Sequence, residues 1–283
     1  MSDAQFQDDE AFRIAHALIE KPLTWSRSVP AASDTPVLIF LEFRAFDRAV
    51  KGYRSFVQLL KLGQWEDALI LARSLYELDL NLSKISCSPD PEQAAKKFVR
   101  FGKFQQLQLD CQSLEDELRH ARLEPQPSAR AISECQQKLT ASISMLRRDF
   151  AEFRKPNVKK WKWQESWSGV SVETLAQHLA DHTGGQCGHS DYWVFRLGSL
   201  FTHNTPGALL LPLSRDRETM DWNEFRVALD NRGRAGLRPF LYQTSLCFLD
   251  IVGMAGGSIV GYERQWFYEF AIPLLNQLAA QAG

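Results

Sequence analysis

Two polar side chains, Arg196 and His203, stand out in the otherwise apolar and aromatic stretch of residues 192–207. An arginine can grip phosphate oxygens as a rigid fork, and a histidine is the side chain most easily poised for proton transfer near neutral pH. Six residues separate the pair, so on a helix both side chains lie on one face, with Cα atoms about 10 Å apart. That gap suits a phosphate group held between them. The chain must leave the helix before Pro206, so the imidazole of His203 is expected to reach solvent.

A second polar pair, Arg73 and Glu77, lies within a helix pattern that is apolar nearly all round, which is typical of a central helix. The spacing of four residues allows an ion pair on one helix face. Two interpretations are open. The pair either fixes the register of a buried helix, which requires further hydrogen bonds, or it lines the same polar pocket as Arg196 and His203. In the second case Glu77 orients His203 or fixes an arginine.

Lysines and tryptophans alternate in residues 155–167. Indole faces can stack on bases while lysines meet phosphates, so the segment is a possible substrate-binding site. The residues predicted for that role are Lys159, Lys160, Trp161, Lys162 and Trp163. Two alternatives remain open, because the tryptophans of this segment (Trp167 included) can also cover a core or form a surface that binds a partner.

The histidines His178, His182 and His189 are weaker evidence for a metal site. His178 and His182 are one helical turn apart and could ligate zinc with Cys187 or His189. The glycine-rich loop that carries the last two is poorly suited to a preformed site, so no metal is predicted. Phosphate-binding loops, dinucleotide fingerprints and nucleophile elbows are absent from the sequence, so no cofactor is predicted either.

The composition is that of an ordinary globular protein, with 45% hydrophobic and 24% charged residues and a formal net charge of -1. This balance argues against a protein that coats nucleic acid through overall charge. An acidic amino terminus unlike a signal peptide and five scattered cysteines without C-x-x-C predict reduced thiols in the cytoplasm. Residues 240–262 are apolar but contain Asp250, which costs roughly 2.5–3.5 kcal/mol inside a membrane. A core helix with close backbone contacts at its glycines is the better interpretation, so no membrane partner is predicted.

Helical periodicity dominates the chain, and strand alternation is nearly absent. Helices are predicted at residues 11–19, 37–62, 65–85, 91–123, 129–154, 171–180, 191–203, 216–231, 236–256 and 262–280. We therefore predict an all-α helical bundle formed by one domain, residues 1–283. Within it, residues 91–155 are predicted to form a projecting helical hairpin, since their apolar stripes are thin. Such a hairpin often meets a partner subunit.

The Arg196–His203 spacing resembles the R-x4-to-6-H motif of the HEPN superfamily, helical-bundle proteins of bacterial defence and toxin systems. In that superfamily the arginine and histidine carry metal-independent RNA cleavage, usually in a dimer whose two motifs meet. The resemblance implies that Arg196 and His203 are catalytic and that Asn204 assists by hydrogen bonding. It also implies RNA as the substrate, a homodimer, and an antitoxin or defence-system protein as a partner.

Three sequence blocks are also similar to a family of bacterial helical proteins of unassigned function. They read R-S-L-Y-E-L at residues 73–78, W-x-G-x-S-x-E-x-L at 167–175 and Y-x-x-x-R-L-G-S-L-x-x-H at 192–203. Membership implies an all-helical fold with a polar pocket and brings no activity with it.

The leading prediction is a metal-independent endoribonuclease of a toxin or anti-phage defence system, with a pocket built from Arg73, Glu77, Arg196 and His203. The main alternative is a non-catalytic helical module that binds a protein or ligand through its hairpin and tryptophan-rich segment. A third possibility is a sensor for a small anionic ligand held by the two arginines.

Overall fold

The computed structural model describes residues 10–25, 35–124, 128–156, 162–183, 192–202, 222–259 and 261–282. Helices account for most of these residues. The described backbone contains no strand and one isolated antiparallel bridge, between Arg154 and Trp163. The predicted all-α class is confirmed.

Nine helices are labelled here in chain order. They are α1 (Glu10–Thr24), α2 (Val37–Lys61), α3 (Trp65–Ser86), α4 (Pro91–Leu123), α5 (Ala129–Asp149), α6 (Val172–Thr183), α7 (Tyr192–Thr202), α8 (Trp222–Ala255) and α9 (Ile272–Ala282). A 3-10 turn at Ala151–Phe153 follows α5, and a second one, Gly256–Ser258, follows α8. A short helical segment, Arg264–Trp266, and a π-helical turn, Phe267–Ala271, lead into α9.

The chain divides into two compact units, one of residues 1–91 with 172–283 and the other of residues 92–171. In the first unit α3 packs against α2, α6, α7 and α8. This central position agrees with its sequence, which is apolar on nearly every face. The turn before α3 contains Gly63, whose positive φ of 73° is a left-handed conformation that glycine adopts without strain.

The core of the first unit is aromatic where α2 meets α8. The ring of Tyr53 stacks on that of Phe248, with centroids 4.3 Å apart and planes 5° apart. The Tyr53 hydroxyl lies 2.7 Å from the Ser245 hydroxyl, and both groups are buried. Ser245 gives its own proton to the carbonyl oxygen of Leu241, at 2.6 Å. Since a serine hydroxyl has a single proton, Tyr53 is the donor in its bond to Ser245.

Two glycines near the end of α8 accept aromatic rings from the segment that follows. A Cβ atom built at Gly256 would lie 2.6 Å from the ring of Tyr262, and one built at Gly253 would lie 3.1 Å from the ring of Phe267. The rings therefore use the space that a side chain would fill. This is the close contact expected of a buried core helix at residues 240–262. Among the described helices, none is both long enough and apolar enough to cross a membrane.

The second unit consists of α4, α5 and the residues that follow them. Its core is a cluster of rings in which Phe104 contacts Phe101, Phe150, Phe153 and Trp163 at centroid distances between 5.0 and 5.8 Å. The predicted hairpin helices are thus present, with α4 at the predicted residues. Helix α5 ends at Asp149 rather than at Arg154, because the chain turns there through the 3-10 segment and buries Phe153.

Candidate functional site

The candidate site begins with Arg73 and Glu77 on α3. The Nε atom of Arg73 donates a hydrogen bond to Oε1 of Glu77 at 3.1 Å. The two side chains are 19% and 38% exposed, so the pair lies at the edge of the core. The i,i+4 spacing has produced the ion pair that the sequence predicts. Its use in chemistry stays a prediction.

The Arg73 guanidinium also contacts α7. Its central carbon lies 4.8 Å from the centroid of the Phe195 ring, which itself packs against Tyr76 with centroids 6.3 Å apart. The Nη1 atom of Arg73 is buried and has no hydrogen-bond partner within the part of the chain that the structure describes. An aromatic face attracts a cation and offsets part of the cost of removing it from water. Arg73 therefore links α3 to α7 through a ring as well as holding Glu77.

Gly198 sets the distance between these two helices. A Cβ atom built at Gly198 would lie 2.6 Å from Cβ of Arg73 and 2.7 Å from the carbonyl oxygen of Leu69. Both atoms belong to α3, and one of them is backbone. Only a residue without a side chain lets α7 approach α3 this closely. Gly198 was not among the residues predicted for the site from the sequence, although an isolated glycine inside an apolar helix is the signal for such a close approach.

Arg196 lies on another side of α7. Its side chain is exposed, whereas Val194 and Gly198 are buried. Residues that are two positions apart in an α-helix point about 160° away from each other around the helix axis, so Arg196 is nearly opposite Gly198. No described residue forms an ion pair with Arg196. The structure thus brings Arg73 and Glu77 together but does not bring Arg196 to the side of α7 that faces them. His203 and Asn204 lie outside the described residues.

The lysine–tryptophan segment belongs to the second unit. Its arms pair through two backbone hydrogen bonds, from Lys155 to the carbonyl of Lys162 at 2.7 Å and from Gln164 to the carbonyl of Phe153 at 2.8 Å. Residues 157–161, which include the predicted Lys159, Lys160 and Trp161, lie outside the described part of the chain. Lys162 is exposed.

Two tryptophans of this segment pack within their own unit. Trp163 is half-buried edge-on against Phe104, with centroids 5.0 Å apart. Trp167 is buried against Phe98, with centroids 5.5 Å apart. Both rings therefore contribute to a core, the first of the two alternatives that the sequence left open.

Lys155 pairs with Glu165 at 2.5 Å, and this hydrogen bond lowers the pKa of the Glu165 carboxyl.

The absence of a metal site stays a prediction. No group of three potential ligands occurs among the residues that it describes. His178 is exposed on α6, but Cys187 and His189 lie outside the described ranges.

These features define an all-α protein in which a central helix, α3, holds α7 by a glycine contact and an arginine–aromatic contact. The chain belongs to DUF5677, a family of unknown function, whose model matches residues 40–220. That range contains Arg73, Glu77, Arg196 and Gly198, together with the three blocks read from the sequence. Neither a curated protein nor a solved structure shows significant similarity to the chain.

Proposed function

We propose that the protein is a metal-independent endoribonuclease whose active site contains Arg196 and His203. The observation that supports this most directly is the setting of Arg196. It is an exposed arginine without an ion-pair partner among the described residues, on a helix held tightly against the core, seven residues before a histidine. An arginine in this setting is free to take a phosphate oxygen as its counter-charge.

In this proposal Arg196 binds the scissile phosphate and stabilises the charge that develops on it during cleavage. His203 transfers a proton to or from an oxygen of the same phosphate as general acid or base. One histidine serves one of these two roles, so the other comes from a second subunit or from another group. A homodimer that joins two motifs would supply it.

Of the two interpretations that the sequence left open for Arg73 and Glu77, this proposal uses the structural one and not a place in the catalytic pocket. Arg73 contacts the buried side of α7 at Phe195 and Gly198, and Glu77 pairs with Arg73, so the two residues help to hold the helix that carries Arg196. Their substitution is expected to reduce cleavage by moving α7, without removing a group that touches RNA. The setting proposed for this activity is the cytoplasm, in a toxin or anti-phage system with an antitoxin or other defence protein as partner.

The test is RNA cleavage by the purified protein in EDTA. The wild type is compared with Arg196→Ala and His203→Ala, and with Arg54→Ala and His120→Ala as controls. Arg54 and His120 are both exposed, and neither forms an ion pair with a described residue. We expect cleavage by the wild type and both controls and its loss in both motif variants. Absence of cleavage by the wild type, or equal cleavage by all five proteins, contradicts the proposal.

A second proposal is a non-catalytic module that binds another protein. It is supported by large apolar side chains that stay exposed on the second unit, Leu109 at 58% and Met145 at 44%. Exposed apolar side chains that form one contiguous patch mark sites of protein–protein contact, so this proposal requires Leu109 and Met145 to belong to a shared surface. In this case Leu109→Glu with Met145→Glu abolishes capture of the partner that the wild type retains, whereas His203→Ala has no effect. Retention of the partner by the double variant contradicts this proposal.

A further inference from the structure

An open groove of about 630 Å³ lies in the first unit, between α1 and residues 263–270. Charged and aromatic side chains line it, namely Glu20, Lys21, Glu263, Trp266, Glu269 and Phe270. We refer to it as the acidic groove. Its volume falls within the range of about 300–1,000 Å³ that is usual for ligand sites.

The charges of the acidic groove are unbalanced. Lys21, the one basic residue among the described lining residues, forms an ion pair with Glu263 at 2.7 Å. Glu20 and Glu269 have no cationic partner among the residues that the structure describes, although Glu269 accepts a hydrogen bond from Gln265 at 2.9 Å. Within the described part of the chain, two carboxylates on the walls of one groove therefore have no counter-charge.

Two aromatic rings stand beside these carboxylates. The rings of Trp266 and Phe270 have centroids 6.3 Å apart and planes inclined by 36°. Trp266 packs against the buried Trp25, whose ring meets it edge-on with centroids 5.3 Å apart, while Phe270 is 46% exposed. The faces of aromatic rings attract cations, and they also pack on the methylene groups of a lysine or arginine. Carboxylates and rings thus favour the same kind of ligand.

The π-helical turn at Phe267–Ala271 contributes to this arrangement. Within the turn, Phe267 packs on Gly253 of α8, whereas Phe270 faces the groove beside Trp266. Turns of this kind are rare in helices and frequently occur at functional sites. Here the turn contains Phe270, a large apolar ring that stays 46% exposed in a groove also lined by Glu20 and Glu269.

We propose that the acidic groove binds a lysine or arginine side chain presented by a basic peptide segment of a partner protein. The charge favours a cationic ligand and opposes nucleic acid. The shape favours a peptide, since the lining extends along α1 from Ala17 to Thr24, about 10 Å, and remains open. A free small cation is usually enclosed over most of its surface, and this groove encloses little. The inference is independent of RNA cleavage.

The experiment measures fluorescence anisotropy of a fluorescein-labelled octapeptide, (Ala-Lys)4, titrated with the full chain at low salt. An (Ala-Glu)4 peptide is the control ligand. We expect saturable binding of (Ala-Lys)4 alone, weakened about five- to tenfold by Phe270→Ala and by Glu269→Gln. Phe270 and Glu269 are exposed, so these variants are expected to fold, and circular dichroism verifies this.

Matched charge variants distinguish binding in the groove from attraction of the peptide to the overall charge of the protein. The double variant Glu20→Gln/Glu269→Gln is compared with the double variant Glu66→Gln/Glu117→Gln. The second one changes the net charge by the same amount, at exposed positions outside the groove. Only the first pair is expected to weaken binding. The proposal is overturned if (Ala-Lys)4 does not bind, if both pairs weaken it equally, or if butylammonium competes at the peptide's own concentration. Light scattering that shows a dimer broken by Phe270→Ala would instead assign the groove to a second copy of the chain.

Discussion

Replacing Gly198 with alanine is expected to force α7 away from α3. The added Cβ atom would lie 2.6 Å from Cβ of Arg73 and 2.7 Å from the Leu69 carbonyl oxygen. Cβ atoms in folded proteins do not approach neighbours this closely. The Leu69 oxygen is part of a helical backbone, so no rotation of a side chain relieves the contact. One of the two helices must move.

The size of the effect follows from two opposing contributions. Overpacking a tight contact by one methyl group costs about 1–3 kcal/mol, and contact with backbone favours the upper half of that range. Alanine is better than glycine inside a helix by about 1 kcal/mol, which offsets part of the loss. The net destabilisation is therefore about 1–2 kcal/mol. In a domain of this size it lowers the melting temperature by roughly 2–8 °C.

Gly102→Ala is the matched control. Gly102 lies inside α4, and a Cβ atom built there meets no atom within 4 Å. Only the helix preference acts at this position, so the variant is expected to be more stable by about 0.5–1 kcal/mol. The two substitutions are chemically identical and are predicted to have opposite signs.

Urea denaturation measures both free energies, and hydrogen exchange locates the change. Faster exchange of α7 amides in Gly198→Ala, with α4 unchanged, is the expected pattern. If Gly198→Ala raises stability as Gly102→Ala does, α7 does not approach α3 as described and the proposed support of Arg196 is wrong.

Three further predictions concern the contacts around the two cores. Arg73→Met is expected to lose about 1–2 kcal/mol, because it removes the contact with Phe195 and the partly exposed ion pair with Glu77, as measured by urea denaturation against Arg73→Lys. Burial raises the pKa of Tyr53 well above its usual value, so the folded chain keeps a proton that the unfolded chain loses above about pH 10. Stability is therefore unaffected by this group below about pH 10 and falls above it, and Tyr53→Phe removes that part of the fall in urea midpoints measured from pH 8 to 11. Trp163→Ala is expected to destabilise the second unit by about 2 kcal/mol, since the ring is half-buried against Phe104, whereas Trp163→Phe retains most of the stability in thermal melts.

Helix positions were largely predictable from the sequence because local signals marked them. Pro91 begins α4 and Gly63 ends the turn before α3, and the predicted limits of α2, α3 and α4 agree with the structure to within one residue. Periodic apolar residues between such signals leave little freedom for a helix to begin or end elsewhere.

The helix limits predicted from local sequence signals such as proline were wrong where tertiary packing outweighed those signals. Two helices were predicted at residues 216–231 and 236–256, yet the structure has a single helix, Trp222–Ala255, that passes through Pro239. This helix packs on both α2 and α3, contacts that the sequence does not reveal. Helix α1 likewise includes Pro22 and continues to Thr24, beyond the predicted end at residue 19. Residues 216–221 of the predicted helix lie outside the described chain.

The candidate site was predictable only within single helices. The spacing of Arg73 and Glu77 predicted their ion pair, because both lie on α3. The sequence did not predict which face of α7 meets α3. In the structure Phe195 and Gly198 lie on the face toward α3, and Arg196 lies on the exposed face. A shared pocket for Arg73 and Arg196 required the opposite orientation of Arg196.

The most direct test of the proposed function is the initial rate of RNA cleavage in EDTA by Arg196→Ala relative to Arg54→Ala. Loss of an arginine that stabilises charge on the phosphate is expected to lower the rate by about 10²–10³, while the Arg54 variant cleaves at the rate of the wild type. Equal rates for the two variants would show that the exposed arginine of α7 takes no part in cleavage and would contradict the account.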